Sequence, residues 1–187
     1  MLRIFYFNAL VLVASLAFTV VGPASADDKG GGGSPVAARE AFAKLKTLKG
    51  DWNNKADMKH QDETHKSDSK VIYKLTGAGS ALVETDFPDT GHEMVSVYHL
   101  DRDDLRMTHY CAAQNQPRFK LDRDHSTLDK LVFVFDGGSN LDPAKDMYIS
   151  GMTMVFEKDG RVVCNWDSKF NGKDAGTTVF QLSRAAK

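Results

Sequence analysis

This 187-residue sequence has few of the motifs that identify enzymes and nucleic-acid-binding proteins. Its only two cysteines are too far apart for a Cys-x-x-Cys redox or zinc motif. Its 24 lysines and arginines are balanced by 25 acidic residues, so it has no basic field for nucleic acid or a membrane surface. It also lacks a G-x-S-x-G nucleophile elbow. These absences leave binding and structural roles as the first classes to consider.

The main apolar run lies at the N-terminus and predicts a signal peptide over residues 1–26. Arg3 supplies the positive charge, Leu10 to Val21 the apolar segment, and Ala24 to Ala26 a small-residue cleavage site. The run is short for a membrane-spanning helix, and no cysteine follows it as a lipid attachment site. We therefore expect an exported mature chain, periplasmic or extracellular, with no membrane insertion after cleavage.

The rest of the sequence indicates a linker and one folded domain. Residues 27–34 include four consecutive glycines and predict a flexible linker. Residues 35–187 suffice for one domain with a sizeable core. We expect this domain to begin with a helix that Ser34 caps, that starts at Pro35 and that ends at Gly50. Its single apolar stripe suits a lid over a larger structure and comprises Ala38, Phe42, Leu45 and Leu48.

From Trp52 onward, the pattern is that of short strands separated by polar turns. Segments rich in β-branched and aromatic residues alternate with turns that contain Gly, Asp or Asn. No helical pattern interrupts them, so the sequence predicts an antiparallel meander. Closure into an all-β barrel of about ten strands removes the exposed edges of such a meander. The predicted strands span residues 52–58, 68–75, 80–87, 93–100, 105–113, 117–122, 130–135, 150–157, 161–170 and 175–184.

The hairpin from Glu93 to Pro117 has unusual chemistry on one of its two faces. A turn at Arg102 and Asp103 sets the strand pairing, and alternate residues then share a face. The opposite face has a mixed composition that suits solvent, so the unusual face is expected to point into the barrel. Its predicted pairs are Leu100–Leu105, Tyr98–Met107, Ser96–His109 and Met94–Cys111.

A second hairpin is expected to turn at the loop from Lys158 to Gly160. A three-residue loop with a left-handed Gly160 pairs only apolar residues, whereas a two-residue loop mixes polar with apolar ones. Cys111 and Cys164 would then both face inward, either as a disulfide or as two small buried residues. The predicted pairs are Phe156–Val162, Met154–Cys164 and Met152–Trp166.

Three polar side chains are predicted to form a row across neighbouring strands inside the barrel. Across the loop from Pro88 to His92, the pairing places Glu84 opposite Ser96, which already faces His109. Such a row can contact a ligand, form a structural network, or act in catalysis with His109 as a base whose tautomer Glu84 sets. Because Ser96 lies in mid-strand with no oxyanion hole nearby, no catalytic residue is predicted.

The expected ligand contacts combine this row with apolar residues that face inward. Methionine and aromatic side chains form adaptable walls, which suit a small apolar or aromatic molecule, and the cofactor is unknown. The predicted ligand-binding residues are Glu84, Met94, Ser96, Tyr98, Met107, His109, Cys111, Met154 and Trp166. No metal site is predicted, since the spacing in one acidic loop matches no known site and suits a solvated loop. That loop contains Asp57, His60, Asp62, Glu63, His65 and Asp68.

Gly50-Asp51-Trp52 resembles the G-x-W signature of lipocalins and related calycin barrels. The resemblance implies that Trp52 closes one end of the barrel and that Arg184, on the last strand, packs over its ring. The chain also resembles small exported lipocalin-like proteins whose function is not established. The segments that carry this resemblance are residues 79–85, 92–95, 98–101, 108–113 and 115–117. Nitrobindin-like haem barrels are more distant, because they have further glycines after the tryptophan and a histidine near the C-terminus, whereas the last histidine here is His125.

The sequence thus predicts an exported barrel that holds a small, largely apolar molecule, with Glu84, Ser96 and His109 as polar anchors. The alternative is a haem or metal protein, or an enzyme, that uses His109 in the same cavity. A third hypothesis is a structural protein with a fully packed interior.

Overall fold

The computed structural model describes residues 35–60 and 63–186. The predicted signal peptide and linker lie outside the described residues. A short 3-10 turn, Gly77–Gly79, connects the second and third strands. In chain order, the elements are α1 (Ala38–Lys46), β1 (Gly50–His60), β2 (Glu63–Thr76), β3 (Ala81–Asp86), β4 (Met94–Asp101), β5 (Asp104–Tyr110), β6 (Gln116–Leu121), β7 (Lys130–Ser139), β8 (Tyr148–Phe156), β9 (Val162–Phe170) and β10 (Lys173–Arg184).

The ten strands form one closed antiparallel barrel, which confirms the predicted fold class. Each strand pairs with its neighbours in the chain, and β1 closes the barrel by pairing with β10. Buried and partly exposed residues alternate along β3 and β6, so one face of each strand points inward. Because a meander reverses at every turn, the odd-numbered strands begin at the same end of the barrel at which the even-numbered strands finish. We call this end, where β1 follows α1, the helix end, and we call the opposite end the far end.

The hairpin of β4 and β5 has the predicted register. Its two-residue turn lies at Arg102, which has a φ of 55°, and Asp103. The predicted pair of Met94 with Cys111 is wrong, because β5 ends at Tyr110. Cys111 instead begins a turn, in which its backbone N–H donates to the carbonyl oxygen of Asn115 at 3.1 Å. The confirmed pairs are Leu100–Leu105, Tyr98–Met107 and Ser96–His109.

The hairpin of β8 and β9 also has its predicted register. Gly160 has a φ of 85°, the left-handed conformation expected for this loop. The predicted loop between β3 and β4 is too short, because Phe87 has a left-handed φ of 51° and lies outside the strand pairing. Glu84 nevertheless lies opposite Ser96, as predicted. The confirmed pairs of β8 and β9 are Phe156–Val162, Met154–Cys164 and Met152–Trp166.

The helix is shorter at both ends than the sequence suggests. It begins at Ala38, with Ala37 as an N-cap that makes no side-chain hydrogen bond, so the prediction of Pro35 as its first residue is wrong. It ends at Lys46, and Gly50 already belongs to β1. One side is buried as predicted, and among the described residues no helix has the length and apolar character to cross a membrane.

The contacts of the G-x-W motif hold α1 against the helix end of the barrel. The indole N–H of Trp52 donates to the carbonyl oxygen of Leu48 at 2.7 Å. The guanidinium of Arg184 lies 4.1 Å from the centre of the Trp52 ring, where a cation is attracted to the aromatic face. The same guanidinium donates hydrogen bonds to the carbonyl oxygens of Thr47, Leu48 and Lys49. The predicted packing of Arg184 over Trp52 is therefore confirmed.

Large side chains fill the barrel from the helix end to its centre. These side chains are at most 1% exposed, and they come from the seven strands β2 to β8. Their close packing leaves little room for a ligand in the centre of the barrel. The set comprises Tyr73, Leu82, Tyr98, Leu105, Met107, Phe119, Leu131, Phe133, Met152 and Met154.

Candidate functional site

A cavity of about 100 Å³ lies at the far end of the barrel. Its outer wall consists of half-buried side chains, and its inner wall consists of buried ones. A wider groove of about 570 Å³ beside Arg123 has no unpartnered buried polar atom among its lining residues. The far-end cavity is therefore the better candidate site. Its half-buried residues are Met58, Phe87, Met94, Ile149 and Thr178, and its buried ones are Asp86, His109, Trp166 and Phe180.

His109 lies in the inner wall of the cavity and is held by two neighbours. Its Nδ1 atom lies 2.9 Å from the hydroxyl oxygen of Ser96, and its ring centre lies 5.2 Å from that of Trp166. Its Nε2 atom is buried and has no hydrogen-bond partner within residues 35–60 and 63–186. Burial lowers the pKa of His109 to about 4, so the imidazole is neutral at neutral pH.

Glu84 does not join this pair as the predicted polar row requires. Its two carboxylate oxygens accept hydrogen bonds from the hydroxyls of Tyr73 at 2.8 Å and Tyr98 at 2.5 Å. The prediction that Glu84 sets the tautomer of His109 is therefore wrong. The row separates into two groups, Ser96 with His109 and Glu84 with the two tyrosines.

Asp86 is the second buried acid on the same face of β3, two residues after Glu84. It lines the cavity, and neither of its carboxyl oxygens has a hydrogen-bond partner among the described residues. Burial raises the pKa of Asp86 well above its usual value, and the negative charge of Glu84 raises it further. Burial also raises the pKa of Glu84, although the hydrogen bonds from Tyr98 and Tyr73 oppose this rise, as does the Asp86 carboxyl when it carries a proton.

Trp166 also lines the cavity, and it carries the fourth unpartnered polar atom of the cavity wall. Its indole Nε1 is buried and has no acceptor in the part of the chain that the structure describes. Its ring centre lies 6.4 Å from that of Phe180, which in turn lies 5.6 Å from Phe87. The cavity thus combines a continuous aromatic wall with four unpartnered atoms, namely His109 Nε2, Trp166 Nε1 and both oxygens of Asp86.

The other predicted ligand-binding residues lie away from the cavity wall. Met94, His109 and Trp166 line the cavity, whereas the remaining six do not. Glu84, Ser96, Tyr98, Met107 and Met154 are fully or almost fully buried inside the barrel, and Cys111 is half-buried in the turn after β5. Both cysteines are free thiols, so the disulfide interpretation is not supported.

The sequence analysis missed Asp86 and Tyr73. Strand alternation is a sufficient signal for Asp86, because the residue two positions after Glu84 shares its face. Tyr73 lies opposite Glu84 in the pairing of β2 with β3. That pairing continues to Thr76 and Ala81 on either side of the turn at Gly77 to Gly79. The register across this turn could have identified Tyr73.

The described residues contain no group of three or more His, Cys, Asp or Glu side chains that could hold a metal ion. In the acidic loop considered above, Asp62 lies outside the described residues. The cavity of about 100 Å³ is also well below the roughly 300–1,000 Å³ of pockets that enclose drug-sized ligands. Haem therefore does not fit this cavity as the side chains are arranged.

No model of a known protein family matches this chain, and a search of curated proteins gives no significant match. The cavity and its polar atoms are thus the basis for a functional assignment.

Proposed function

We propose that this protein binds a small, largely apolar molecule in the cavity at the far end of its barrel. The main support is that four of the seven unpartnered buried side-chain polar atoms in the described residues belong to residues that line this one cavity. A buried polar atom without a partner costs about 1–3 kcal/mol. A ligand that bonds to these atoms recovers that free energy, so the site favours an occupant with polar groups as well as an apolar body.

The cavity limits the size of the ligand and the number of its polar groups. Its volume of about 100 Å³ is smaller than the ~150 Å³ cavity that binds benzene in a comparable protein interior. The enclosed part of the ligand is therefore small, and a larger molecule must extend past the half-buried rim residues. Met58 and Met94 provide flexible apolar contacts at this rim.

The polar anchors differ from those expected from the sequence. Glu84 already accepts two hydrogen bonds, and Ser96 contacts the side of His109 that faces away from its unpartnered nitrogen. His109 therefore remains an anchor, and Asp86 and Trp166 replace Glu84 and Ser96. Ser96 keeps a positioning role, because its contact with Nδ1 determines whether Nε2 donates or accepts a hydrogen bond.

We also propose that the chain is a calycin-type barrel that is exported from the cell. The closed ten-strand barrel, the helix at one end and Arg184 over Trp52 support the first statement. The charge and apolar pattern of residues 1–26 supports the second. An enzymatic role has less support, because no carboxylate among the described residues bonds to the hydroxyl–imidazole pair of Ser96 and His109.

Methyl NMR of the methionines tests the proposed binding site directly. Met58 and Met94 line the cavity, whereas Met152 and Met154 are buried in the core and serve as internal references. We expect fragments no larger than benzene to shift the first two methyl signals and not the last two. The substitution His109→Ala should lower the affinity of the fragments that bind by about tenfold, because it removes one buried hydrogen bond worth about 1.5 kcal/mol.

Ser126→Ala is the matched control, which tests whether a loss of stability by itself lowers fragment affinity. Ser126 is buried outside the cavity lining, and its hydroxyl bonds to the backbone of Asp122 and Val132. This variant should lose stability and keep wild-type fragment affinity. The proposal is wrong if no fragment shifts Met58 or Met94. The anchor role of His109 is wrong if His109→Ala lowers the melting temperature and leaves affinity unchanged.

A further inference from the structure

The groups around the far-end cavity can supply negative charge but no positive charge at neutral pH. Asp86 lines the cavity, and Glu84 lies two residues before it on the same face. No lysine or arginine is among the lining residues. His109 is the only basic residue there, and burial lowers its pKa to about 4. An anionic ligand would therefore meet a neutral imidazole and two acids with no cation to bind it.

We propose that the ligand is a small aliphatic amine, which binds as its ammonium ion with Asp86 as the counter-ion. This inference rests on the proposed function of the cavity. An ammonium group has three N–H donors. The cavity wall has three unpartnered acceptors, namely both oxygens of Asp86 and Nε2 of His109 when Nδ1 donates to Ser96. The donors of the ligand and the acceptors of the site therefore match in number.

The walls of the cavity also suit a cation with an alkyl chain. Aromatic rings attract cations through their faces, and Phe87, Trp166 and Phe180 form one continuous wall. Met58 and Met94 can pack against the alkyl part of the amine. The indole N–H of Trp166 is a donor only, so an oxygen on the alkyl chain would give it an acceptor.

Binding of an ammonium ion should release a proton from Asp86. Burial and the charge of Glu84 favour the protonated form of Asp86 in the protein without ligand, whereas an adjacent cation favours the ionised form. No cation among the described residues already stabilises the ionised form. The titratable groups that interact with Asp86 or share its cavity are Tyr73 on β2, Glu84 on β3, Tyr98 on β4, His109 on β5 and Cys164 on β9. Affinity for the amine should therefore increase with pH, up to the pH at which Asp86 is already ionised in the protein without ligand.

Propylamine and 1-propanol provide a matched pair of probes, because they differ only in the ammonium or hydroxyl group. Alkylamines have a pKa near that of lysine, about 10.4, so propylamine is a cation throughout the neutral range. We expect propylamine to shift the Met58 and Met94 methyl signals with at least about tenfold higher affinity than 1-propanol at pH 8. This preference should decrease as the pH is lowered. Asp86→Asn should abolish it, so that propylamine binds this variant no more tightly than 1-propanol does.

Asp89→Asn is the control for a general loss of negative charge, because Asp89 is exposed in the loop after β3 and absent from the cavity wall. It should keep the preference for propylamine. Equal affinity of the two probes for the wild-type protein, or a preference that survives in Asp86→Asn, would overturn the ammonium proposal and leave the binding function intact. If neither probe shifts Met58 or Met94, the proposed function itself fails.

Discussion

Asp86 is a buried acid whose burial the described residues leave largely uncompensated. It is 1% exposed, its carboxyl oxygens have no hydrogen-bond partner among the described residues, and the charge that raises its pKa is that of another acid, Glu84. Glu84, two residues away, has two tyrosine hydroxyls that compensate part of the cost of burial. Such an uncompensated group costs folding free energy. A role in binding gives a physical reason for its presence, because a ligand with a donor group would bond to oxygens that have no hydrogen bond within the described residues.

The substitution Asp86→Asn should raise stability at neutral pH by about 1–3 kcal/mol, because a buried Asp86 must either stay charged or take up a proton, whereas an amide is neutral without either cost. The folded-state pKa of Asp86 is raised, so the folded protein holds its proton where the unfolded chain has lost it. The wild type therefore loses stability as pH rises above the unfolded value of about 3.9, up to the folded pKa. Urea unfolding of both proteins between pH 4 and 8 measures the difference.

The stability gain of Asp86→Asn over the wild type should be absent near the pKa of Asp86 in the unfolded chain, and it should grow as pH rises. Comparison with the wild type at each pH cancels most of the contribution of His109. The lowered pKa of His109 makes both proteins lose stability as pH falls below about 6.5. Equal stabilities of the two proteins at every pH would show that Asp86 is compensated in the fold.

The buried polar residues differ in how far the sequence predicts them. Strand alternation gives Ser96 opposite His109, because the turn at Arg102 and Asp103 fixes the register. The same alternation does not decide which of several neighbouring donors Glu84 accepts. That choice depends on side-chain rotamers and on the register with β2. The volume of the cavity depends likewise on how large side chains pack, which hydrophobic pattern alone does not specify.

At the scale of elements, α1 and the G-x-W motif form a closed unit at the helix end. The backbone carbonyls that follow α1 need donors outside the helix. Arg184 on β10 supplies three of these bonds, to Thr47, Leu48 and Lys49. Its position over Trp52 brings the last strand, the first strand and the helix together. The motif is thus a structural clamp, remote from the cavity at the far end.

Arg184→Lys should destabilise the protein by about 1–3 kcal/mol, because an ammonium cannot both stack on Trp52 and reach three carbonyls in a planar fork. Urea unfolding measures this loss. Arg161→Lys is the control, since the Arg161 side chain is exposed and, within the described residues, bonds to Asp159 alone. It should leave the urea midpoint essentially unchanged. A loss no larger in Arg184→Lys than in the control would contradict the clamp.

The strands follow from the sequence more closely than the helix does. The sequence predicts all ten strands, and eight of them agree with the observed bounds within three residues at both ends, because alternation and turn residues are local signals. The exceptions are β2, which begins five residues before its predicted start, and β7, which ends four residues after its predicted end. The helix start was placed at Pro35 from its preference for the first helical turn, yet α1 begins at Ala38. Its position depends on contacts of Ala38, Phe42 and Leu45 with the barrel, which local propensity does not contain.

At the scale of the whole molecule, the clamp formed by Arg184 and the proposed binding site lie at opposite ends of one barrel. The helix end is closed by α1 and Arg184, and the centre is filled by large side chains. The far end retains a cavity and most of the unpartnered buried polar atoms of the described residues. A barrel arranged in this way can tolerate poorly satisfied groups at one end, because the rest of its interior provides the folding free energy.

Native mass spectrometry of the protein purified from its own host tests the binding function most directly. The account predicts a small organic molecule bound to the wild type and to Ser126→Ala, and a smaller bound fraction in His109→Ala. Denaturation and extraction of the same sample would identify the molecule and show whether it is an amine. The mass of the bare polypeptide in every preparation, with no bound molecule in any variant, would contradict the account.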